Sequence, residues 1–195
     1  MATLTVRADG TVDYTTFAAA NSAAQDGDII EIQDSSVYEE SNINTFDDNI
    51  QFIATGSNRP VLKNTTSNQT FYMYNSGSYF QNIHFHGPNY HVFRTYNNQS
   101  TCLSLSGCFF EGSTHRPSSR GHGKITSGFY KNYDPEAAVG TFPGANPHCL
   151  IDRCVFIHTS SATTNNQRYI TTNTGYVLMR NSLVVTNAES HAGIY

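Results

Sequence analysis

Apolar positions along this chain alternate over short runs and rarely keep a helical period. Leu4-Thr5-Val6, Ile29-Ile30-Glu31-Ile32, Val37-Tyr38-Glu39-Glu40, Phe71-Tyr72-Met73-Tyr74 and His91-Val92-Phe93-Arg94 each read as a strand. So do Phe129-Tyr130 and Tyr169-Ile170-Thr171-Thr172. Asn, Gly and Ser separate these runs, as turns require. One segment differs. Between Asp13 and Ala24, the residues Phe17, Ala20 and Ala24 fall on one face at spacings of three and four, which predicts a short helix. Asp13 or Thr15 stands where a cap belongs, and Gly27 suits the left-handed conformation that follows a helix.

The strand pattern repeats. Phe80-Gln81-Asn82-Ile83-His84-Phe85-His86 aligns with Leu105-Ser106-Gly107-Cys108-Phe109-Phe110-Glu111 and with Ile151-Asp152-Arg153-Cys154-Val155-Phe156-Ile157. Met179-Arg180-Asn181-Ser182-Leu183-Val184-Val185 follows less closely, and Asn49-Ile50-Gln51-Phe52-Ile53 fits the second half. The third residues of the four full copies stand 25, 46 and 28 residues apart, which reads as one coil, two coils (or one with an insertion) and one coil. Self-similarity at this period marks a solenoid. Six or seven such coils, spaced as strands in a sheet, would build a rod roughly 30 Å long. In that geometry Ile83, Phe85, Cys108, Phe110, Cys154 and Phe156 point inward.

The opening of the chain adds a family resemblance. Val6-Arg7-Ala8-Asp9-Gly10, Asp13-Tyr14-Thr15-Thr16-Phe17 and Ala23-Ala24-Gln25-Asp26-Gly27-Asp28-Ile29-Ile30-Glu31-Ile32 resemble the entry to right-handed parallel β-helix proteins, among them pectin methylesterases, pectate lyases and phage tailspikes. The resemblance implies an all-β fold: one right-handed parallel β-helix solenoid over residues 1–195, with a capping helix in 1–28, coils over 29–195 and an irregular insertion near 112–147. It leaves function open, because that fold hosts lyases, hydrolases, esterases and structural rods.

Charge sharpens the picture. The charged fraction is 13% and the net charge is -4, against a typical charged share of about 25%. That balance argues against a nucleic-acid partner held by a basic field, and no apolar run approaches the ~20 residues of a membrane span. Residues 1–48 hold ten acids against one base, Arg7, whereas the remainder is mildly basic. In a solenoid this makes one end acidic, an asymmetry that can orient docking or merely keep a cap soluble. Met1 to Arg7 show no basic stretch leading into an apolar run and read as a mature start made in a host cytoplasm. Four cysteines are too few for a disulfide scaffold, and buried thiols are the expectation for Cys108 and Cys154.

Candidate chemistry is sparse. Glycoside hydrolysis needs two carboxyls about 5–9.5 Å apart. The outward positions offer Asp152, which meets Ser106 or Arg180 in neighbouring coils, and Glu111, which shares a column with His86 and Ile157. Glu136 lies in the irregular stretch. The acid, acid and arginine set implied by a pectin methylesterase resemblance finds no match beyond Asp152-Arg153. His84 and His86 share one strand face and would bind Zn²⁺ or Ni²⁺ only if a third ligand arrived, so no metal or other cofactor is expected. Arg116, Arg120, His122 and Lys124 form the basic cluster, a contact arm for an acidic partner or a solvated loop. Tyr72, Tyr74, Tyr79 and Phe109 are outward aromatics suited to stacking on sugar rings or protein.

The ten residues after Val185 make a thin lid, so a second subunit or another protein is expected to cover that end. These features favour a non-enzymatic virion component of a phage, a capsid decoration protein or small tail attachment protein. It would be homotrimeric, lie on the virion against the major capsid protein, and touch neither nucleic acid nor membrane. The alternative is a polysaccharide lyase or hydrolase, or a carbohydrate-binding module that meets a cell-surface glycan.

Overall fold

The computed structural model describes residues 1–57, 59–66, 68–74, 77–87, 92–95, 103–111, 118–119, 123–126, 129–131, 139–141, 148–158, 168–172, 176–186 and 193–194. The chain winds through three faces in turn, built from four parallel sheets, two of which share the third face. The first stacks β1 (Thr3–Val6), β2 (Ile29–Ile32), β5 (Gln51–Ala54), β8 (Ser78–Gln81), β11 (Leu103–Ser106), β14 (Gly123–Thr126), β17 (His148–Asp152) and β20 (Tyr176–Arg180) in that order. The second holds β3 (Val37–Glu39), β6 (Val61–Lys63), β9 (His84–His86), β12 (Phe109–Glu111), β15 (Phe129–Lys131), β18 (Val155–His158) and β21 (Leu183–Thr186). The third side carries β4 (Ile43–Thr45), β7 (Phe71–Met73) and β10 (Phe93–Thr95), then β13 (Ser118–Ser119), β16 (Val139–Thr141), β19 (Arg168–Thr172) and β22 (Gly193–Ile194). Every pairing is parallel between successive coils, which is the parallel β-helix the sequence implied.

Stretch 112–147 spans the gap that reads as two coils or as one coil with an insertion. β14 and β15 lie inside it, and each pairs on both sides, β14 with β11 and β17 and β15 with β12 and β18. The 46-residue gap is therefore two coils. The signal was hidden because Gly123-Lys124-Ile125-Thr126 carries one large apolar residue where its neighbours carry two.

Side chains stack because the register is held. Phe52 pairs with Phe80, and their rings lie 4.7 Å apart and nearly parallel at 3°. Phe85 and Phe110 stack at 5.0 Å, and Phe71 and Phe93 at 5.5 Å. All six rings are buried. Such pairs contribute about 0.5–1.5 kcal/mol each beyond their burial. The six residues read as inward, from Ile83 to Phe156, are all buried, including both free thiols. Burial pushes the Cys108 thiol up to about 11, so it stays protonated and unreactive.

The turn from the first sheet to the second explains the repeat. Asn82, Gly107, Arg153 and Asn181 follow β8, β11, β17 and β20, and all have positive φ, from 50° to 62°. Gly and Asn adopt this left-handed conformation most readily. Arg153, at φ 54°, is the costly member.

Helix α1 (Phe17–Ala23) closes the N-terminal end, shorter than the run from Asp13 to Ala24. Thr16, rather than Asp13 or Thr15, caps it and accepts from the Ala19 amide at 3.1 Å. Glu40 accepts from the Phe17 and Ala18 amides at 2.9 and 2.8 Å. Gly27, at φ 79°, serves the turn into β2 and donates to the Asp48 carbonyl at 2.8 Å. Among the described residues no helix is long and apolar enough to cross a membrane.

Candidate functional site

Two sets of outward residues stand apart from the core. The first surrounds a cleft of about 330 Å³ between α1 and β4, lined by Ala18, Asn21, Ser22, Asn42, Ile43, Asn44, Phe46 and Asp47. Its size falls near the lower end for small-molecule clefts. The local fold builds it. Phe17 and Ala20 anchor the helix in the core, which leaves Ala18 half-buried at its edge and Ser22 facing outward. On β4, alternation buries Ile43 and Thr45 and exposes Asn44. Asn21 ties the walls together by donating Nδ2 to the Asn44 carbonyl at 2.7 Å. Asn42 accepts from Gln69 Nε2 at 2.8 Å, which fixes its amide.

Phe46 forms the rim and is 68% exposed. Its ring stacks on Tyr74 at 4.8 Å and 22°, and Tyr74 lies 6.0 Å from Tyr72. Tyr72 shares the register of Asn44 on the neighbouring strand, and Arg94 holds the same register position one strand further on. Cleft and aromatic rings thus form one continuous surface along the third side. Tyr72 and Tyr74 were legible as outward aromatics. Phe46 was missed, since it lies just past a strand too short to show a period.

The other candidates separate. Tyr79 is on the first sheet and donates its hydroxyl to Gln81 at 2.9 Å. Phe109 is on the second sheet, its ring 4.4 Å from His84. His84 Nε2 lies 3.5 Å from Glu111 Oε2 without making a hydrogen bond. Burial pushes the His84 pKa down, and Glu111 opposes this. His86 lies 6.1 Å from His84, ring to ring. Among the described residues no third ligand joins them into a metal-binding group.

Asp152 departs from its expected exposure: it is 6% exposed. Asn181 Nδ2 donates to it at 3.1 Å, Arg180 Nε lies 3.2 Å from Oδ1, and Arg153 Nε lies 3.5 Å from Oδ2. The Asn181 hydrogen bond and then Arg180 hold its carboxyl below the usual range. A carboxylate so paired fastens two coils and is unsuited to donate a proton. Its axial neighbours are Arg180 and Thr126; Ser106 is two coils away. Glu136, Arg116, Arg120 and His122 lie outside the described residues, and Lys124 is placed only by its backbone, in β14.

No family model and no curated protein matches the sequence. Solved structures do match. Escherichia coli ybhc superposes with TM-score 0.63 at 14% identity, covering 98% of this chain and 66% of that one. A pectin methylesterase in complex with hexasaccharide VII gives 0.55 at 13%, covering 96% and 67%. The Aspergillus niger pectin methylesterase gives 0.55 at 14%, covering 97% and 85%. With its stacked parallel sheets, the chain has the parallel β-helix fold of these solved structures.

Proposed function

We propose that this protein engages a polysaccharide along its third side, with the sugar chain lying over Tyr72, Tyr74 and Phe46 and one residue entering the cleft beside Asn44. The observation that carries the reading is the stacked Phe46–Tyr74 pair at the cleft rim. Aromatic rings held in place present flat apolar faces of the kind that pyranose rings cover, and the tyrosines add polar tips. Amides at the cleft supply the few placed polar groups that orient a ligand. Neighbours of this fold include a pectin methylesterase bound to a hexasaccharide.

These neighbours favour the polysaccharide alternative over the virion component, for which neither the fold nor the neighbours offers support. Between binding and hydrolysis, the cleft favours binding: among the described residues Asp47 is its one lining carboxylate. Two-carboxylate hydrolysis needs a pair about 5–9.5 Å apart. A glycan array with the full chain tests the reading, followed by titration of each hit against Tyr72→Ala and Phe46→Ala. Retained affinity in both variants, or an empty array, would reject it.

A further inference from the structure

We propose that the cleft selects glycans without carboxylates and turns polyuronates away, an inference that rests on the polysaccharide reading above. Among the described residues the polar part of the cleft wall is amide and hydroxyl, from Asn21, Ser22, Asn42 and Asn44, with Asp47 as its one charged group. The exposed amide of Asn44 makes no side-chain hydrogen bond among the described residues, so it can both donate to and accept from sugar hydroxyls. Among the described residues no Lys or Arg lines this wall, and such cations are the strong partners of carboxylates.

The surrounding coils extend the contrast. Before Arg59 the sole basic side chain is Arg7, and it is already 3.1 Å from Asp9. Several acids of this end are held by backbone amides. Asp13 accepts from the Thr5 amide, Asp34 from Ala8, Asp28 from Ala2 and Gln25, and Asp26 from Asp48. These bonds hold the carboxyls of Asp13 and Asp28 low, so both remain charged at neutral pH. A sugar chain reaching the cleft therefore meets a negative field that charges close by reinforce and salt screens. Arg94, two strands along the third side, lies at the other end of the aromatic surface, beyond the cleft.

The test is calorimetric titration of the full chain with three probes: an uncharged soluble β-glucan, fully de-esterified polygalacturonate and a cationic chitosan oligosaccharide. The expected result is uncharged-glycan binding that holds steady from about 0.01 M to about 0.1 M salt. Polygalacturonate should bind at least about tenfold more weakly at the lower salt, and Asp47→Asn should narrow that gap. Polygalacturonate binding as tight as the β-glucan would overturn the charge selection and leave polysaccharide binding standing. Chitosan binding that alone survives and vanishes with salt would overturn it too, because simple ion exchange would then account for the contact. Binding of none of the three would remove the polysaccharide reading itself.

Discussion

Arg180 reaches across one coil step to Asp152, its Nε 3.2 Å from the Oδ1 atom of a carboxylate that is 6% exposed. The pair fastens β17 to β20, and Asn181 Nδ2 adds a second clamp at 3.1 Å. Replacing Asp152 with Ala should lower the melting temperature and leave glycan affinity unchanged, since the residue lies on the first sheet and the aromatic surface on the third. Differential scanning calorimetry alongside a binding titration checks both halves.

Arg153 holds φ 54° in a position that Asn or Gly fills in three other coils. Left-handed backbone costs a side-chain-bearing residue about 1–2 kcal/mol, and Asn tolerates it better. Arg153→Asn is expected to stabilise the chain despite losing the 3.5 Å contact to Asp152, which Arg180 still covers. Urea unfolding reads the outcome. The opposite sign is expected for Gly77→Ala: φ there is 81°, and an added Cβ would run into the Asn49 side chain.

The buried ring stacks set the largest mutational effects. Phe80 is fully buried, stacked on Phe52 and edge-on to Phe71 and Phe85. Phe80→Ala should cost about 3–5 kcal/mol in chemical denaturation, and Phe80→Leu clearly less. Phe46→Ala, by contrast, removes a side chain that is 68% exposed, so the change should stay within about 1 kcal/mol. That difference makes Phe46 a clean probe of binding.

Acid should unfold the cap end first. Asp9, Asp13, Asp28, Asp34 and Asp152 all have carboxyls held below the usual range. A group lowered in the fold stabilises fully above its unfolded value, near 3.8 here, and that contribution is lost as pH falls through the folded value. His84 works in the same direction at higher pH. Burial lowers it from 6.5, so acidification through the unfolded value begins to favour the unfolded chain. Glu40 opposes both. Burial raises its carboxyl, and its contribution is largest at low pH and lost as pH rises through the folded value. Thermal melts between neutrality and about pH 3 should therefore fall in two stages, with His84→Phe removing the upper one.

Zinc or nickel should leave the melting temperature unchanged. His84 and His86 offer two nitrogens on one strand, and among the described residues no group of three metal-ligating side chains forms around them. A rise of several degrees with either ion would show that a third ligand reaches the pair.

The fold was readable because its costliest positions repeat. The buried Phe85, Phe110 and Phe156 and the left-handed Asn82, Gly107 and Asn181 recur at coil spacing, and each narrows the residues allowed. The site was less readable because nothing in its construction repeats. Phe46 becomes part of the aromatic surface only when Tyr74, 28 positions on, is laid against it by the pairing of β4 with β7. Asp152 looked solvent-facing by strand alternation, and the two arginines and Asn181 cover it from the sides. The acidic first quarter reads as a field for docking or as a soluble cap, and several of its carboxylates are tied to backbone amides.

Two residues separate the first sheet from the second at β8–β9, β11–β12, β14–β15, β17–β18 and β20–β21. That corner behaves as a ruler. A residue inserted or lost there would shift the next strand by one place and turn its inward aromatic out to water. The remaining connections carry no such gauge, and they lengthen and shorten freely from coil to coil. Variation in this chain is therefore channelled away from one edge of the rod and toward the flanks of the third side, where Phe46, Tyr72 and Tyr74 stand. A lineage built on this plan can rewrite the surface of those flanks while its core stays in phase.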